Sequence, residues 1–108
     1  FFLINRELVK KTEAYQLKDL RNMYKFQEFL NRAKYYFENN QKSESEKNLA
    51  WAEYYGENLS DAQYELGLFY AFYLKNFSKA KLHWQKCLQI NPYHWNKDFI
   101  LKQMNIFM

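Results

Sequence analysis

The sequence predicts an all-α domain, and three observations carry that expectation. Gly56, Gly67 and Pro92 are the only Gly and Pro residues in 108, so hairpin turns are almost missing. Val, Ile and Thr are scarce, which removes the usual composition of strands. Apolar residues recur at spacings of three and four, as on one face of a helix.

With so little Gly and Pro, the breaks between elements fall at polar clusters: ENNQKSESE at 38–46, GENLSD at 56–61, KN at 75–76 and NP at 91–92. About six helices follow, over 5–20, 22–39, 44–55, 60–74, 77–90 and 95–106. Nothing interrupts 5–39, so the first two are also compatible with one continuous helix. Leu17, Leu20 and Tyr24, then Leu30, Ala33 and Phe37, supply its apolar positions. Ser60 with Asp61 reads as the start of the fourth helix, and Ser78 beside Phe77 as the start of the fifth. Asn91-Pro92 closes the fifth, because proline cannot continue the hydrogen-bond ladder and disfavours helix in the residue before it. In the last helix Phe99, Ile100, Ile106 and Phe107 form an apolar face, and Phe99, Met104 and Phe107 are expected to cover the last hairpin or to meet a partner.

Sixteen basic against 12 acidic residues give a net charge of +4. The excess sits mainly in residues 59–108, a bias well short of the dense basic stripe of a nucleic-acid binder. Aromatic residues are the unusual feature. Ten Phe, ten Tyr and three Trp are too many for the interior of so small a domain, so some rings should face a partner or another copy. The lone Cys87 excludes an intramolecular disulfide and a cysteine metal cluster, and it does not separate a cytoplasmic from an exported protein. The opening FFLINRELVKK is too short an apolar run for a signal peptide or a membrane span and reads as a buried contact.

Sliding the chain on itself by 33 residues places Tyr35, Tyr36 and Phe37 on Leu68, Phe69 and Tyr70, Trp51 on Trp84 and Tyr55 on Leu88. A period in the thirties is typical of helix-turn-helix repeats that bury one face against the next. Within the second copy stand Leu66-Gly67, Tyr70, Ala80, Trp84, Cys87-Leu88 and Pro92. That order resembles the tetratricopeptide repeat. The turn YLKNF is one residue longer and lacks the usual glycine, which also makes the unit similar to the Sel1-like repeat. Residues 60–92 carry the match, residues 27–58 carry a degenerate copy in which EKNLAWAEYYGE resembles a Sel1-like second helix, and residues 1–26 and 93–108 read as helical caps. Gly67 and Ala80 are expected to let the paired helices approach, with Tyr70 and Trp84 filling the space on either side.

The resemblance implies antiparallel hairpins in an α-α superhelix and a non-catalytic protein–protein interaction scaffold. A peptide or partner helix would lie in a concave, aromatic-rich groove lined by Asp61, Tyr64, Leu68, Ala71 and Phe72, with Glu28, Asn31, Tyr35 and Asn39 from the degenerate copy. Tyr64 and Leu68 stand where relatives that clamp a C-terminal carboxylate use Lys, Arg or Asn, so no such clamp is expected. For Tyr64, Leu68 and Phe72 the competing reading is packing against a neighbouring helix. A second expectation is a nucleic-acid-binding module using Lys75, Lys79, Lys81 and Lys86, whose simpler reading is a solvated face. A third is a structural part of a homo- or hetero-oligomeric assembly, with the exposed rings as interface.

His83 and His94 each precede a Trp and lack further ligands at helical spacing, so they read as surface or partly packed residues and not as a metal site. Cys87 reads as a buried, inert thiol. No Gly-rich phosphate loop, Ser-His-Asp set or paired acids in an apolar setting is legible, so neither enzymatic activity nor a cofactor is expected.

Overall fold

The computed structural model describes the backbone of residues 2–106 and the side chains of residues 17–105. The expectations for the N-terminal apolar run and for Ile106 and Phe107 as apolar contacts lie outside the described side chains. Among the described residues there are five helices: α1 (Phe2–Glu38), α2 (Lys42–Tyr55), α3 (Ser60–Leu68), α4 (Phe77–Ile90) and α5 (Lys97–Ile106). A π-helical turn, Phe69–Tyr73, continues α3. The two helices expected over 5–39 are one, which follows from the lack of any breaker between them.

The helices pack as two pairs, α1 with α2 and α3 with α4. Phe26, Leu30 and Ala33 of α1 are fully buried, as are Ala52 of α2 and Ala80, Trp84 and Cys87 of α4. Small residues mark the closest approaches. The Ser45 hydroxyl donates to the Ala33 carbonyl at 2.8 Å, which only a short side chain facing another short one permits. A Cβ on Gly56 would lie 2.6 Å from the Cβ of Ala62 and 2.7 Å from the Phe26 ring, so this glycine marks where the two pairs meet.

The two pairs correspond position by position at an offset of 35 residues. Adding 35 carries Lys42–Tyr55 onto Phe77–Ile90 end to end. The same offset carries Asn40 onto Lys75, the two non-glycine residues with positive φ among the described residues, at 60° and 55°. It also carries the buried Ser45, Leu49 and Ala52 onto the buried Ala80, Trp84 and Cys87. In the first helix of each pair the buried Phe26, Leu30 and Ala33 map with 36 onto Ala62, Leu66 and Phe69. The offset falls from 36 to 35 across the π-helical turn, so the second pair reaches its positive-φ residue, Lys75, one residue sooner after Phe69 than the first pair reaches Asn40 after Ala33.

The 33-residue offset is therefore corrected. It aligned Trp51 with Trp84 on chemical identity, but Trp51 is 52% exposed whereas Trp84 is completely buried. The packing equivalent of Trp84 is Leu49.

The helix ends also differ from expectation. Ser60 is the first residue of α3, but the capping position is Leu59, which offers no side-chain bond. Asn76, not Ser78, caps α4 by accepting from the Lys79 N–H at 3.2 Å. At the end of α1 the Gln41 N–H reaches the Tyr36 carbonyl at 2.8 Å with Asn40 in the left-handed region, so asparagine does what a glycine would usually do. The α4 helix does stop at Ile90, before Asn91-Pro92.

Candidate interaction surface

The first helix of each pair, with the turn that follows α1 and the π-helical turn that follows α3, holds the nine groove positions, and the structure separates them. Ala71 is fully buried and Tyr64 is 7% exposed, so neither presents a surface. Leu68 is half-buried against the core, while Phe72 remains 46% exposed. On α1, Tyr35 is 59% exposed and makes an edge contact with Tyr36. Asn39 is exposed and turns its Nδ2 back to the Tyr35 carbonyl at 2.7 Å, closing the helix end. Glu28 is engaged by Arg32 at 3.0 Å and Lys25 at 3.7 Å. Asn31 is exposed, with the Gln27 amide 3.5 Å away.

Glu28 and Asn31 nevertheless line a concavity of about 640 Å³ along α1, together with Leu20, Met23, Tyr24, Lys25 and Gln27. Leu20 is 61% and Tyr24 is 83% exposed. Leu17, Leu20, Tyr24 and Asn31 follow one another by three, four and seven residues, which aligns them on one stripe. Phe26, Leu30 and Ala33 occupy the other side of the same helix and face the core. The concavity thus runs from Glu28 and Asn31 towards the N-terminus, past Leu20 and Tyr24, which the sequence reading took only as helical periodicity.

At Asp61 and Tyr64 the expected groove is filled by the chain itself. The residues between α4 and α5 fold back so that the His94 Nε2 lies 2.7 Å from Asp61 Oδ1 and the Trp95 indole N–H donates to the same oxygen at 3.1 Å. The Asn96 backbone N–H donates to His94 Nδ1 at 3.1 Å, which leaves the ring proton on Nε2, facing Asp61. The Asn96 side-chain amide donates to the Tyr64 hydroxyl at 2.8 Å. His94, Trp95 and Phe99 surround the Tyr64 ring at centroid distances of 5.2, 5.5 and 6.3 Å. His94 is only 4% exposed, which corrects its reading as a surface or partly packed residue: its hydrogen-bond partner lies 33 residues upstream.

The second polar cluster joins the two pairs. Gln63, 2% exposed, donates its amide to the carbonyls of Gly56 at 3.0 Å and Glu57 at 3.3 Å. Its oxygen is left to accept from His83 Nδ1 at 2.7 Å. The His83 ring stacks on Tyr70 at 5.1 Å, and its Nε2 lies 3.7 Å from Glu53. The Tyr70 hydroxyl donates to the same Glu53 carboxylate. Burial alone would raise the Glu53 carboxyl, but the bonds from His83 and Tyr70, with Lys79 nearby, outweigh it and hold it below the ordinary 4.5. Burial and the Glu53 carboxylate together push the Tyr70 hydroxyl well above its usual range. Sequence reading missed Gln63 and Asn96, since a single polar residue beside aromatic ones carries no periodic signal.

Lys79 and Lys86 share one face, seven residues apart, but they line a cleft of about 540 Å³ with Glu53 and Glu57. Lys79 lies over the Tyr70 ring at 5.5 Å and Lys86 lies 4.0 Å from Glu57. Lys75 sits in the turn before α4, and Lys81 is displaced round the helix from Lys79 by two residues. The four lysines therefore do not make one continuous basic face. Cys87 is buried, and burial, with Asp61 adding to it, pushes its thiol up to about 11.

Among the described residues no group of three or more His, Cys, Asp or Glu side chains is placed to hold a metal ion, and no helix is long and apolar enough to cross a membrane. No protein-family model, no curated protein and no solved structure matches the chain.

Proposed function

We propose that the chain is a non-catalytic protein-interaction module built of tetratricopeptide-like hairpins, taking a peptide or partner helix along the exposed stripe of α1. The observation that carries this reading is the concavity along α1, where Leu20, Tyr24, Glu28 and Asn31 lie together with the two large apolar side chains in water. Exposed apolar stripes at helical spacing are what a partner helix packs against. The 35-residue repeat of helix ends, turn conformation and buried positions supports the hairpin-repeat reading. The nucleic-acid alternative is weakened by Glu53 and Glu57, which share the Lys79 and Lys86 cleft.

Affinity capture from the native source tests the proposal, comparing the wild type with Leu20→Glu and Tyr24→Ala. Both side chains are exposed, so helix content and Tm should be unchanged while the captured partner is lost. Equal capture by all three chains would contradict the reading.

A further inference from the structure

The inward stripe of α1 changes character along its length. Ala33, Leu30 and Phe26 are fully buried, and the same spacing of three and four carries the stripe on to Asn22 and Asp19. Where apolar side chains would continue the core, the chain places an amide and a carboxylate. Both line a cavity of about 380 Å³, with Lys18 of α1, with Tyr54 and Tyr55 of α2, and with Glu57 and Leu59 of the turn that follows α2. The Tyr54 and Tyr55 rings stand almost at right angles there, at 79° and 5.1 Å between centroids.

Asp19 is the member that the fold does not explain. Its Oδ2 is sealed from solvent and accepts no hydrogen bond among the described residues. Nor does an ion pair join it to Lys18, its neighbour in the chain and in the cavity wall. Glu57, the other carboxylate, has Lys86 4.0 Å away. A half-buried carboxylate with no donor is unfavourable, and such charges are ordinarily paired. The terminal torsion of an aspartate is soft, so rotation about it turns the sealed oxygen towards the cavity without moving the helix.

We infer that this cavity is a binding site for a primary alkylammonium group. The ammonium lies beside the Asp19 carboxylate, with the Asn22 amide oxygen as a further acceptor, and its alkyl chain lies against Tyr55 and Leu59. An ammonium brings three donors and no acceptor, which suits a wall of carboxylate and amide oxygens. The Tyr54 ring adds the attraction of an aromatic face for a cation. The group can belong to a free amine or to a lysine side chain of a partner. The site does not depend on the α1 stripe, because Asp19 and Asn22 lie on the opposite side of that helix from Leu20 and Tyr24.

Titration of the full chain with n-butylamine at neutral pH, followed by nitrogen and carbon chemical shifts, tests the inference. Shifts at Asp19, Asn22 and Tyr55 should follow one saturable isotherm, and n-butanol, the neutral analogue, should bind at least about 10-fold more weakly. Asp19→Asn keeps the size of the side chain; it should weaken butylamine at least about 10-fold and leave Tm unchanged when no amine is present. Tyr54 is exposed, and Tyr54→Leu should weaken butylamine about 3-fold in a folded chain. Lys18→Ala should change the affinity by less than about 3-fold. Equal affinities for butylamine and butanol, or for the wild type and Asp19→Asn, would overturn the inference. A lower Tm for Asp19→Asn without amine would also overturn it, by making the carboxylate a structural group. So would a gain of about 10-fold or more in Lys18→Ala, since the chain's own lysine would then be the cation. Nα-acetyl-lysine amide separates the sources: affinity within about 3-fold of butylamine supports a partner's lysine, and its exclusion supports a free amine.

Discussion

Gly67 lies directly against the indole of Trp84: a Cβ on residue 67 would stand 2.1 Å from Trp84 Nε1 and 2.3 Å from its Cδ1. The indole has no room to withdraw, because it is completely buried and its N–H donates to the Tyr64 carbonyl at 3.2 Å. The expected roles of the two residues are thereby changed. Gly67 does let the helices approach, but the space it leaves is filled by Trp84 itself and not by residues on either side.

Two substitutions follow from that contact. Gly67→Ala should destabilise the domain by at least about 1–3 kcal/mol through overpacking, and Trp84→Ala by about 3–5 kcal/mol through the cavity it leaves. Chemical denaturation with both variants measures this. A Gly67→Ala chain as stable as the wild type would show that α3 and α4 are further apart than described.

Tyr64 and Phe72 should part company although they share a stripe. Tyr64 is held among His94, Trp95 and Phe99, so Tyr64→Ala should cost about 3 kcal/mol or more. Phe72 is 46% exposed, and Phe72→Ala should cost under about 1 kcal/mol. Thermal unfolding of the pair decides it, and equal losses would mean that the stripe is packed along its whole length.

Much of the fold was legible in the residues, for physical reasons that also mark the limit. Asn91-Pro92 ends a helix by covalent geometry, so its effect is local and readable. The absence of a breaker over 5–39 correctly allowed one helix. The π-helical turn was not legible, because FYAFY is apolar on nearly every side and its pattern does not distinguish a wider turn from an ordinary one. The burial of His94 depends on Asp61, far upstream, and no local spacing reports such a contact. The groove reading put Ala71 on a surface when it is in the core, because a spacing of three or four along a helix does not say which of its faces the neighbouring helices cover.

The Glu53 carboxyl makes stability depend on acid. Its folded pKa is lowered, so between the folded and unfolded values the unfolded chain binds more protons. Its contribution is therefore present above the unfolded value near 4.5 and is lost as pH falls through the folded one. A pH series of Tm should show a steeper acid decline for the wild type than for Glu53→Gln, and parallel curves would remove Glu53 from the clasp between the pairs.

Cys87 supplies a probe of the core. Its thiol is buried and pushed up to about 11, so a thiol reagent at neutral pH should not modify the folded chain and should react fully in denaturant. Rapid labelling without denaturant would place Cys87 outside the core.

The central claim, that partners bind through an apolar face of α1 and not through lysines, is tested most directly by titrating the purified captured partner into the wild-type chain over a tenfold range of salt. Affinity that changes by less than about 10-fold, and is lost in Leu20→Glu, is the result predicted. Affinity that falls by about 1,000-fold or more with salt, and survives Leu20→Glu, would contradict it.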